Sequence, residues 1–79
     1  MESYKNLGGN SGVVAYETGT DHIKVQFKHG HKIYTYSTRR IAANKVEQMK
    51  ALAISGRGLN TFINQNPDVR DGYNHLNTV

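Results

Sequence analysis

His22-Ile23-Lys24-Val25-Gln26-Phe27-Lys28, continuing through His29-Gly30-His31 into Lys32-Ile33-Tyr34-Thr35-Tyr36, decides the fold. Its first seven residues alternate polar and apolar, the pattern of a strand with one covered and one wet face. His29-Gly30 is a tight-turn signal, because glycine adopts positive φ at little steric cost. Residues 32–37 then read as the returning strand, and period-2 alternation sends Tyr34 and Tyr36 to one side of the sheet. Upstream, residues 13–18 alternate more weakly and end at Gly19-Thr20-Asp21, another turn signal.

Two-residue loops at Gly19-Thr20 and His29-Gly30 set a register. Val14 faces Val25, Tyr16 faces Ile23, Val25 faces Tyr34 and Ile23 faces Tyr36. One face then collects Val14, Tyr16, Ile23, Val25, Phe27, Tyr34 and Tyr36. The other carries Glu17, His22, Lys24, Gln26, Lys28, His31 and Thr35, with Val13, Ala15 and Ile33 its apolar members. A one-residue slip would move both tyrosines to the polar side. Agreement between the two hairpins favours tyrosines in the core over tyrosines stacking bases on a wet face.

A helix is expected next. Asn44 can cap it, with Glu47 three residues on as a capping-box variant. Val46, Met49, Leu52 and Ala53 form its apolar stripe, Lys45, Gln48 and Lys50 point outward, and Gly56 and Gly58 stop it. A second helix over residues 59–66 offers Leu59, Phe62 and Ile63 to the core before Pro67. The expectation is an α+β fold: a three-stranded antiparallel meander with two C-terminal helices on one face, in the order β-β-β-α-α. Residues 1–11 read as a flexible lead-in onto which Tyr4 and Leu7 could dock, 12–66 as a single domain, and 67–79 as a polar, partly mobile tail.

Seventy-nine residues limit the chain to one domain with a thin core. It has no cysteine, so neither a disulfide nor a thiolate zinc site can reinforce that core. Residues 1–12 lack the apolar segment of a signal peptide, and no apolar run has the length of a membrane span. A cytoplasmic protein without a membrane role is the expectation. Ten Lys/Arg against six Asp/Glu give a net charge of +4, which suits nucleic acid or an acidic protein surface.

Chemistry has little footing in these residues. The carboxylates are scattered, and Ser55 lacks a neighbouring base motif. The histidines His22, His29, His31 and His75 have no carboxylate spaced to complete a metal site. No catalytic residue, metal or cofactor is therefore expected, and the protein reads as a non-enzyme. Gly56-Arg57-Gly58 reads better as a helix C-cap and tight turn than as an anion nest. The candidate nucleic-acid contacts are Lys24 and Lys28 on the basic sheet face, Arg39 and Arg40 at its exit, and Arg57. A charged outer face also serves simply to keep a half-solvated sheet wet and unpaired.

Several segments resemble one family in order and spacing. These are Ser11-Gly12-Val13 with Tyr16, Ile23–Phe27 running into Tyr34-Thr35-Tyr36, the helix from Asn44 to Met49, and Gly56-Arg57-Gly58-Leu59-Asn60-Thr61-Phe62-Ile63. Together they are similar to the KTSC domain, a module found at the C-terminus of some lysyl-tRNA synthetases and as small bacterial and phage proteins. The likeness spans roughly residues 11–66. It implies a compact α+β domain in which Tyr34, Tyr36, Gly56, Gly58 and Asn60 are motif positions with structural roles. It implies no reaction, and the fusion to a tRNA-charging enzyme suggests RNA as a ligand. Two readings stay open: a non-enzymatic RNA or single-stranded nucleic-acid binder acting through its basic face, or a protein-interaction module of bacterial or phage origin using the helix pair or an open sheet edge.

Overall fold

The computed structural model describes residues 1–9, 12–28, 32–73 and 75–78, the last four by their backbone. The expected His29-Gly30 turn, His31, and Ser11 of the family likeness lie outside the described residues. The described strands form one antiparallel sheet in sequence order: β1 (Glu2–Ser3), β2 (Val13–Thr18), β3 (His22–Phe27), β4 (Lys32–Ser37) and β5 (His75–Thr78). Between β4 and β5 run α1 (Ala43–Ser55), α2 (Leu59–Gln65) and α3 (Pro67–Arg70). The α+β layering is as expected, but the meander gains a strand at each edge and a short third helix joins the expected pair.

These additions come from segments expected to be loose. Tyr4 is buried, its N–H donates to the Val14 carbonyl at 2.9 Å, and its hydroxyl accepts the Leu59 N–H at 3.3 Å. Leu7 donates its N–H to the Gly56 carbonyl at 2.8 Å, although its side chain stays exposed. One aromatic ring and these backbone bonds are enough to hold the lead-in. At the other end Val69 of α3 is fully buried, and β5 pairs along β4 with Leu76 opposite Tyr34. The tail is thus held by Val69 in the core, by Tyr73 against Tyr34, and by the backbone ladder of β5.

The β3–β4 register is the expected one, with Ile23 opposite Tyr36 and Val25 opposite Tyr34. The β2–β3 register differs. Tyr16 faces Val25, Thr18 faces Ile23, and Gly19 donates to the His22 carbonyl, which moves the two-residue loop to Thr20-Asp21. A two-residue shift leaves Tyr16 on its expected face. A bulge between Val13 and Ala15 then reverses the alternation, because one extra residue inverts parity. Val13 therefore enters the core at 1% exposure and Val14 turns outward at 39%, the opposite of the expected assignment.

The core lies between the inner sheet face and the helices. Val13, Ile23, Val25 and Tyr36 meet Val46, Met49 and Ala53 of α1, Leu59 and Ile63 of α2, and Val69 of α3. Ala42, not Asn44, stands at the α1 N-cap and makes no side-chain capping bond, so the expected capping box does not form. Gly56 closes α1 in the left-handed conformation at φ 80°, its N–H shared between the Leu52 and Ala53 carbonyls. Lys50, expected to point outward, is largely covered. Its ammonium donates to the Thr20 carbonyl at 2.9 Å and to Glu47 at 2.8 Å, tying the β2–β3 turn to α1. Among the described residues no helix is long and apolar enough to cross a membrane.

Candidate functional site

The two tyrosines of β4 share the inner face, but they are not equivalent. Tyr36 is 2% exposed, and burial pushes its hydroxyl pKa well above the ordinary tyrosine value, with Tyr34 and Tyr73 adding to the shift. Tyr34 is half-buried and lies at an opening. Phe27 meets its ring edge-on at a centroid distance of 5.3 Å, Tyr73 does the same at 4.7 Å, and Tyr36 stacks at 6.3 Å. These four rings line one side of a cleft of about 340 Å³.

The helices supply the opposite wall: Asn60, Ile63 and Asn64 from α2, with Arg70 and Asp71 at the end of α3. Asn60 and Asn64 are four residues apart, so one helical face presents both carboxamides to the same space. Each amide carries donors and acceptors, the equipment for reading the edge of a planar heterocycle. Arg70 Nε lies 3.4 Å from the Asp71 carboxylate, so the one acid lining the cleft among the described residues has a cation beside it. Tyr73 reaches Tyr34 because the chain turns tightly at Gly72. A Cβ there would sit 2.3 Å from the Asp68 carbonyl oxygen and 3.0 Å from Ile41.

A second cleft, of about 270 Å³, opens at the α1–α2 turn. Tyr4, Asn6, Gly8, Arg57, Gly58, Asn60 and Thr61 line it. Asn60 thus borders both spaces. Gly56-Arg57-Gly58 is the tight turn expected, with both glycines at positive φ.

The five candidate cations do not gather into one patch. Lys24 lies mid-strand on the outer face, 3.9 Å from the carboxylate of its cross-strand partner Glu17. Arg39 and Arg40 follow β4 at the end of the sheet where Thr38 donates to Asp21. Lys28 follows β3 at the other end and donates its N–H to the Gly12 carbonyl. A six-residue strand separates those two ends, about 20 Å at ~3.4 Å per residue. Arg57 lines the second cleft with Tyr4 and Asn6, and the Lys5 side chain lies against the preceding Gly56. Among the described residues Lys28, Arg39, Arg40 and Arg57 have no carboxylate partner within ion-pair distance, whereas Lys24 does.

Lys28 thus follows the Phe27 end of β3, Arg57 lies in the α1–α2 turn, Lys24 lies mid-strand, and Arg39 and Arg40 follow the far end of β4. Sequence reasoning places Tyr34 and Tyr36 on the inner face but misses the cleft, along with Asn64, Arg70 and Tyr73. The Asn60–Asn64 spacing is a visible signal; the return of Tyr73 is not. His22 Nδ1 lies 3.4 Å from Asp21, and no group of three metal-ligating side chains occurs among the described residues. Comparison with protein-family models, curated proteins and solved structures gives no match.

Proposed function

We propose that the protein is a small non-enzymatic module that binds single-stranded RNA or DNA through the aromatic cleft between β4 and α2. The observation carrying this reading is the combination of four aromatic rings with two carboxamides around one opening. Unpaired bases are bound in this way, by stacking on rings and by hydrogen bonds to their edges. The two amides can donate and accept hydrogen bonds at once, which suits recognition of a base edge. The net charge of +4 supplies attraction for the phosphates, and so does Lys28, which has no carboxylate partner among the described residues. The KTSC likeness points the same way and is part of the proposal, with Tyr34, Tyr36, Gly56, Gly58 and Asn60 as its shared positions.

Fluorescence anisotropy with labelled single-stranded and duplex oligonucleotides tests the reading. Single strands should bind in preference to duplex, more weakly as salt rises. Tyr73→Ala should weaken binding about tenfold, since one base–ring stack contributes roughly 1–3 kcal/mol. Equal affinity for duplex, or no effect of Tyr73→Ala, would contradict it.

A protein-interaction role is the second reading, favoured by Leu7 and Ile54. Both are more than half exposed, and both lie in the chain segments that meet at Gly56. Partner binding that resists salt and is lost in Leu7→Asp or Ile54→Asp would support it.

A further inference from the structure

The two clefts share Asn60 and differ in their lining. One is walled by aromatic rings and carboxamides, with Arg70 and Asp71 paired at the end of α3. The other also has Asn60 at its border, and among the described residues its single charged lining residue is Arg57, accompanied by Asn6 and Thr61. No carboxylate lines this second space among the described residues, and Arg57 has no ion-pair partner there. The aliphatic part of Lys5 lies against Gly56, the residue before Arg57. An aromatic slot joined to a small cationic polar pocket matches the two halves of a nucleotide.

We propose that the two clefts form one bipartite nucleotide site: the base lies among Tyr34, Phe27 and Tyr73, and its phosphate is held by Arg57 and Thr61, with Asn60 between them. The guanidinium suits this task because its planar donors match phosphate oxygens in pairs. The proposal rests on the nucleic-acid reading above and deepens it by assigning which cation takes the phosphate. It makes a single nucleotide, rather than a long strand, the minimal ligand.

Amide-resolved NMR titrations with adenosine 5′-monophosphate, adenosine and inorganic phosphate test it. The monophosphate should shift resonances at both clefts, including Tyr73, Asn64, Arg57 and Thr61. Adenosine should shift the aromatic cleft alone and bind about tenfold more weakly or worse, the range of one charge-assisted hydrogen bond. Arg57→Ala, an exposed residue whose loss leaves the core intact, should bring the monophosphate down to the affinity of adenosine, and Arg57→Lys should restore part of the difference. Equal binding of nucleotide and nucleoside, unchanged by Arg57→Ala, would overturn the bipartite site while leaving a base-binding cleft. Shifts at neither cleft would overturn both.

Discussion

Tyr36 and Tyr34 are two residues apart and do different work. Tyr36 belongs to the core, and burial holds its proton to higher pH than in the unfolded chain, where tyrosine titrates near 10. Between those two pKa values the folded state binds more protons, so stability falls as pH rises; below about pH 10 the contribution is fully present. Tyr36→Phe should flatten that alkaline decline relative to wild type, as read by denaturant midpoints across the pH range. Tyr34 instead faces the cleft, flanked edge-on by Phe27 and Tyr73. Alternation alone assigns both rings to the inner face. It cannot say how far α2 and α3 cover them, because coverage depends on Gly72 and the return of Tyr73. That is why the face is legible in the sequence and the cleft is not.

At the scale of elements, β3 and β4 are readable because alternation is strong in both strands. β2 is not. Its two consecutive valines fit either parity, and the bulge gives the inward position to Val13. Val13→Asp should therefore unfold the protein, while Val14→Asp should change stability by no more than about 0.5 kcal/mol in urea denaturation. The α1 start escapes local rules for a related reason: tertiary packing carries this helix, and the start at Ala43 has no side-chain cap. Its end obeys them. Gly56 combines φ 80° with a would-be Cβ only 2.6 Å from the Lys5 Cβ, so Gly56→Ala should cost roughly 1–3 kcal/mol and loosen the lead-in together with the helix end. Hydrogen exchange should show both effects, with faster exchange at Tyr4 and Leu7.

Across the whole molecule, a thin core leaves little tolerance: truncating the fully buried Met49 to Ala should cost about 2–5 kcal/mol. The sheet also separates the cations, with Arg39 and Arg40 at the end of β4 remote from the Phe27 end. Removing Lys28 and Arg57 should lower both affinity for single strands and the slope of its salt dependence, by about 0.7 for each phosphate no longer neutralised. Removing Arg39 and Arg40 should leave the slope nearly unchanged. The most direct test of the central claim is a ¹H–¹⁵N titration of the wild-type protein with a single-stranded RNA of about ten nucleotides at low salt. The predicted shifts map to the cleft, at Phe27, Tyr34, Asn60, Asn64 and Tyr73. Shifts confined to the outer face around Glu17, Lys24 and Thr35, or no shifts at all, would contradict it.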